Sequence, residues 1–200
     1  MIAIIDYDAG NIKSVEKACR YLGYDTVLTR DRKEILSADH IILPGVGSFG
    51  DAMEHLEKYG LSSVIRESVE KEIPFLGICL GMQVLFEDSE ESPGVLGLHL
   101  LDGHIVRFSD QHGLKIPQIG WNSLEIFGGR LFRGLSPDPY VYFVHSYYLK
   151  AAHEQEVKAI CQYGDTVHAS VESGNLFACQ FHPEKSGEIG LGILKNFAEI

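Results

Sequence analysis

The chain lacks a C-x-x-C pair, a basic cluster, an internal repeat and any apolar run long enough to span a bilayer, and each absence removes a class of function. Its four cysteines, Cys19, Cys79, Cys161 and Cys179, are spaced widely, with no histidine at zinc-ligand spacing beside them. Neither a disulfide framework nor a metal site is indicated. Only 17 Lys and Arg stand against 28 Asp and Glu, and the resulting charge of −11 repels nucleic-acid backbones and anionic lipid surfaces. The first apolar run, Ile2 to Ile5, has no basic flank and is too short for a secretion signal, so a cytoplasmic protein is expected.

What is present suits one domain over residues 1–200, since 45% hydrophobic residues supply a substantial core. The N-terminal half reads as βαβ units. IAIID (2–6) is a strand, 11–23 a helix with Asn11 as N-cap and Gly23 as stop, DTVLTR (25–30) a strand, EILSA a short helix or turn and HIIL a strand. Residues 51–71 read as helix broken near Gly60, PFLGI (74–78) as a strand and LGMQVLFEDS as a helix. After Pro93, segments such as GHIVRF, YVYFVHSYYL, VKAICQY, TVHASVE and LFACQF are β-rich, and 187–198 reads as a closing helix. The expected fold is α/β: an open, mixed, mostly parallel sheet flanked by helices, with antiparallel strands added in the C-terminal half.

Two glycine-rich stretches carry the chemistry. The first, Gly45-Val46-Gly47-Ser48-Phe49-Gly50, matches the dinucleotide pattern G-x-G-x-x-G. That reading needs an acid about 20 residues on, at a strand end, and Glu67 and Glu70 fall within a helix instead. A tight turn, or a loop of amides facing a developing negative charge, are the readings left open. The second stretch, Gly77-Ile78-Cys79-Leu80-Gly81, is the thiol form of a nucleophile elbow, with the amide of Leu80 beside the attacked carbonyl. Its position at a helix N-terminus favours the thiolate.

A thiol nucleophile needs a base, and the base an orienting group. His182-Pro183-Glu184 offers both, because residues two apart in extended chain project to one face. Cys19, Cys161 and Cys179 fall in apolar periodic segments and read as buried structural thiols. His40, His55, His99, His104, His112, His153 and His168 read as surface or structural, and His145 sits in a strand-like aromatic segment.

Together, GICLGMQ, FHPE and PGVGSFG resemble the class I, triad-type glutamine amidotransferases. IIDYDAGNIKSV, IGWN, YFVHSYY and QFHPEKSG resemble, within them, the glutaminase subunits of imidazole glycerol phosphate synthase. The likeness runs end to end. It implies a flavodoxin-like fold and hydrolysis of glutamine by Cys79, His182 and Glu184, without metal or cofactor. It makes PGVG the oxyanion strand (Gly45, Val46, Gly47), and assigns glutamine binding to Gly47, Gln83, Glu91 and the backbone at Ser146 and Tyr147. The implied partner is a (β/α)₈-barrel cyclase subunit, met near Trp121, Asn122, Tyr142 and Lys185, which receives ammonia through a shielded passage. Trp121, in what reads as a polar turn, is an interface anchor on this likeness and a core residue otherwise. The freedom of Gly45 and Gly47 suggests that the PGVG peptide flips and leaves the isolated subunit nearly idle. The elbow and HPE alone would also suit another synthase's glutaminase or a cysteine peptidase.

Overall fold

Strand β1 (Ile2–Ile5) is apolar at every position because both of its faces are covered. In the computed structural model, which describes all residues except 9, 111 and 112, Ile2 and Ile4 pack on one face and Ala3 and Ile5 on the other. His112 therefore lies outside the described residues.

Helices α1 (Ile12–Tyr21) and α6 (Gly187–Ala198) cover the first face with Val15, Cys19, Ile193 and Phe197. The second face is covered by α2 (Arg32–Leu36), α3 (Phe49–Lys58) and α4 (Leu61–Glu70), through Ile35, Met53, Leu56 and Ile65. Gly60, with φ +66°, separates α3 from α4.

The large sheet also contains β2 (Thr26–Thr29), β3 (His40–Leu43), β4 (Phe75–Ile78) and β13 (Leu176–Cys179), running parallel in the order β2-β1-β3-β4-β13. This is the flavodoxin-like order, with the last place filled from the far end of the chain. Three antiparallel strands extend it beyond β13: β12 (Asp165–Ser173), β11 (Val157–Tyr163) and the short β8 (Glu125–Ile126). A three-stranded sheet joins β5 (Asp88–Ser89), β6 (Gly103–Arg107) and β10 (Tyr147–Ala151). A separate ribbon pairs β7 (Gln118–Ser123) with β9 (Tyr140–His145). No helix among the described residues is long and apolar enough to cross a membrane.

Two local expectations fail. The helix after the elbow, α5 (Leu80–Gln83), is one turn long and does not continue through Ser89. The carbonyls of Val84, Leu85 and Glu87 accept instead from the amides of Leu98, Leu100 and Gly97, so a returning segment takes the acceptors that a longer helix would need. IGWNS is strand β7 rather than a turn, and Trp121 is opposite Tyr142, an aromatic pair that outweighs the neighbouring Gly120 and Asn122.

Candidate active site

Parallel strands of this type place functional groups at their carboxyl ends. Cys79 follows β4 with φ 54° and ψ −110°, a conformation that costs an L-residue about 1–3 kcal/mol. The strain sits on Cys79 itself. Its flanking glycines are required for space, since a Cβ on Gly77 would lie 2.6 Å from Gly81 O, and one on Gly81 would lie 1.8 Å from Leu43 O. The elbow is thus pressed against β3 and pushes the thiol over the sheet edge. Because α5 is one turn, any electrostatic help to sulfur comes from individual first-turn amides. Leu80 stands first in that turn, where a backbone N–H has no intrahelical acceptor.

His182 and Glu184 follow β13, the strand hydrogen-bonded to β4. The amide of Cys79 donates to Cys179 O at 2.8 Å, so the two strand ends are fixed side by side. Extended geometry between His182 and Glu184 is not what unites them: Pro183–Lys185 form a 3₁₀ turn that brings Glu184 Oε1 to 2.8 Å from His182 Nδ1. Both side chains are buried. Nε2 of His182 is buried without a hydrogen-bond partner, which leaves it as the nitrogen available for chemistry. Burial alone would depress the pKa of this imidazole, but the Cys79 sulfur and the Glu184 carboxylate outweigh it and raise the value to about 9.

Ser186 fixes the backbone of His182. Its hydroxyl donates to His182 O at 2.6 Å and accepts from the amide of Tyr142 at 2.9 Å, while the amide of His182 donates to Tyr142 O. Strand β9 is thereby tied to the base.

A cleft of about 420 Å³ opens over Cys79. Val46, Gly47 and Leu80, expected to face the oxyanion, are among its lining residues, as are Gln83, Glu91, Ser146 and Tyr147. Gln83, one turn beyond Cys79, is buried and donates to Tyr147 O at 3.1 Å. The Glu91 carboxylate accepts from the amide of Phe49 at the start of α3 (2.8 Å), an anion on a helix N-terminus. Gly45 lies beside Leu80 and Gly81, and its role differs from the expected freedom: a Cβ there would fall 2.2 Å from the Tyr7 hydroxyl. Only Gly47, with φ +111°, has a backbone that favours glycine conformationally.

Trp121, Tyr142 and Lys185 form a connected row beside the cleft. Trp121 is 56% exposed, so it is not a core residue; its ring meets Tyr142 edge-on at 6.1 Å, and Lys185 Nζ lies 5.8 Å from the Tyr142 ring. Asn122 has a structural task, donating to Gln162 O at 3.0 Å. Lys185 lines the cleft as well, so the row and the pocket share a wall.

Some residues in the site escaped the sequence reading. Gln180 is fully buried, donates to Cys79 Sγ at 3.7 Å and accepts from Gln83 Nε2 at 2.9 Å. Its place two residues before His182 was the available signal. Tyr7, two residues beyond β1, has a buried hydroxyl with no partner, and burial, then the Cys79 charge, push its pKa upward, so it stays protonated. Asn11 was read as an N-cap but makes no side-chain cap; it donates to Glu184 Oε1 at 2.6 Å.

The other titratable groups do not compete. Burial lowers the pKa of His145 to about 4, and the ring is held by Tyr147 O and Gln118 Oε1. Burial pushes the thiols of Cys19 and Cys161 up to about 12 and that of Cys179 well above its ordinary value. Away from the cleft, Glu87, His99 and Asp102 bring donor atoms within 4.8 Å of one another, but His99 is already hydrogen-bonded to Asp102, as His153 is, in an exposed ion-pair network.

The chain is similar to known proteins over nearly its whole length. The family model described as glutamine amidotransferase class-I matches residues 3–200. The chain is 50% identical over 201 residues to imidazole glycerol phosphate synthase subunit HisH of Caldanaerobacter subterraneus subsp. tengcongensis, covering 100% of this chain and 98% of that protein. Against the subunit of the same name from Methanocaldococcus jannaschii it is 47% identical over 202 residues, covering 100% of both. Among solved structures, a glutamine amidotransferase (20% identity, 99% of this chain and 100% of that one) and PurLQS from Thermotoga maritima (21%, 99% and 97%) each align with a TM-score of 0.76. At those identities the structural matches speak for the fold.

Proposed function

The chain belongs to the class I glutamine amidotransferases and, within them, to the HisH subunits of imidazole glycerol phosphate synthase, and from that membership we infer the work of each residue in the cleft. The enzyme is the glutaminase subunit of a synthase in histidine biosynthesis. Cys79 sulfur attacks the carboxamide carbon of glutamine, and the carbonyl oxygen becomes an oxyanion facing the amide of Leu80 and those of the Gly45–Gly47 segment. The His182 imidazolium gives its proton to the departing nitrogen, and ammonia leaves a glutamyl thioester on Cys79. Neutral His182 then takes a proton from water, the hydroxide adds to the thioester, and collapse releases glutamate and the thiolate. Glu184 holds the Nδ1–H throughout. No metal or organic cofactor enters these steps.

Substrate orientation follows from charge. Glu91 faces the α-ammonium of glutamine, Gln83 and Gly47 its polar atoms, and the backbone of Ser146 and Tyr147 its α-carboxylate. The observation that carries the reading is the pairing of a strained, pocket-lining Cys79 with a buried imidazole whose pKa is raised to about 9.

Ammonia released to water at neutral pH is almost wholly protonated and no longer nucleophilic, so transfer must be direct. The subunit works with a cyclase partner. We propose that this partner is a (β/α)₈ barrel seated on Trp121, Tyr142, Lys185 and the neighbourhood of Asn122, that residues 1–200 act as one amidotransferase domain, and that the pair operates in the cytoplasm. Mixing the chain with a barrel cyclase, its ribotide ligand and glutamine tests this. Cys79→Ala should abolish glutamate release while the cyclase still uses added ammonium salts; loss of both activities would assign Cys79 to assembly instead.

A further inference from the structure

We propose that Asn11 is a positioning residue for the catalytic base, acting on Glu184 from the first turn of α1. The inference rests on the Cys79, His182 and Glu184 assignment above. The Glu184 side chain is fully enclosed, and its two oxygens are treated unequally. Oε1 accepts from His182 Nδ1 at 2.8 Å and from Asn11 Nδ2 at 2.6 Å, while Oε2 is buried with no partner. A buried carboxylate with so few donors depends heavily on each of them. The amide of Asn11 therefore fixes the plane of the carboxylate about its Cγ–Cδ bond, so that the oxygen it holds stays on the imidazole.

Among the described residues, no group besides Asn11 and His182 donates to the Glu184 carboxylate. Cys19 from α1 and Cys179 from β13 feel the Glu184 charge, but burial already holds both thiols neutral. Cys79 from the elbow and His182 from the same turn are the reacting pair.

The backbone explains why the residue is asparagine. Asn11 has φ +71°, a conformation that Asn, Asp and Gly adopt most readily. Aspartate there would set a second carboxylate against Glu184, and glycine would offer no donor. Asparagine alone of the three satisfies both the turn and the carboxylate. It does so without capping α1, whose first amides receive nothing from its side chain.

The same preference supplies clean variants: Asn11→Gly removes the donor at an unstrained backbone, and Asn11→Asp keeps the shape while reversing the polarity. Both are assayed in the complex with the cyclase, beside Glu184→Gln, with rates expressed per Cys79 labelled by an electrophilic glutamine analogue so that unfolded protein is not counted. Asn11→Gly is expected to lower kcat about tenfold or more, the effect of losing a hydrogen bond to a charged group, with KM for glutamine within about twofold. Asn11→Asp is expected to be slower still at pH 8.5 and to recover severalfold relative to wild type at pH 6.5, where the two carboxylates share a proton and one regains a donor. Wild-type kcat in Asn11→Gly, with Glu184→Gln impaired, would overturn the role of Asn11 and leave the triad standing. Wild-type kcat in Glu184→Gln as well would overturn both.

Discussion

Replacing Gly81 by alanine tests the elbow by a displacement that can be worked out in advance. The new Cβ would sit 1.8 Å from Leu43 O, where carbon and oxygen normally stay about 3.3 Å apart, so α5 and β3 must separate by about 1.5 Å. Leu43 is buried at the end of β3, a strand paired with β1 on one side and β4 on the other, so the movement falls on the turn that carries Cys79. A misplacement of about 1 Å at a reacting group costs roughly 100-fold in rate, and overpacking of this kind costs about 1–3 kcal/mol of stability. Glutamate release by the complex, measured beside urea unfolding of the free subunit, separates the two effects. Gly192→Ala is the control: its Cβ meets only the flexible end of Leu135 at 3.0 Å, within α6, so stability should hold or rise by up to about 1 kcal/mol with kcat unchanged. A folded Gly81→Ala complex with kcat within about threefold of wild type would refute the reasoning.

Three further outcomes follow from the same geometry. Cys79→Gly should melt higher than Cys79→Ala by the equivalent of about 1 kcal/mol, because glycine adopts φ 54° and ψ −110° without the strain that alanine retains; equal melting temperatures would place the strain elsewhere. The His182 pKa is raised above its unfolded value, so the stability it contributes is complete below about pH 6.5 and lost as pH rises through about 9, with the alkaline limb of glutaminase activity falling near 9 as well; a limb near 7 would contradict the ion pair. Gln180→Leu removes the donor to Cys79 Sγ and the acceptor of Gln83, and should slow both kcat and alkylation of Cys79 by about tenfold, whereas unchanged alkylation would mean that Gln180 only fills space.

The parallel half of the fold was legible in the sequence because its signals are local. Ile2–Ile5, His40–Leu43 and Phe75–Ile78 are short apolar runs between helices of clear 3.6-residue period, and Gly60 marks its break by composition alone. The length of α5 was not legible, since what ends it is a segment more than ten residues away that claims the Val84 and Leu85 carbonyls. Trp121 was misplaced for a similar reason: Gly120 and Asn122 speak for a turn, and only pairing with Tyr142 makes β7 a strand.

In the site, residues named by short motifs were legible, and those that act across the chain were not. Gly77, Cys79 and Gly81 announce the elbow by spacing, although the glycines answer to crowding, Gly77 against Gly81 and Gly81 against Leu43, rather than to backbone freedom. Asn11 reads in the sequence as a helix cap but its side chain serves as a carboxylate donor, a role that a separation of 173 residues from Glu184 hides. Tyr7 and Gln180 meet Cys79 only when β1, β4 and β13 are assembled.

The most direct test is acid quenching of the assembled complex during turnover with glutamine, followed by mass spectrometry of the intact subunit. A single glutamyl adduct is expected on Cys79, absent from Cys79→Ala and accumulating more slowly in His182→Gln. Glutamate produced at full rate with no adduct, or an adduct on another cysteine, would contradict covalent catalysis by this thiol.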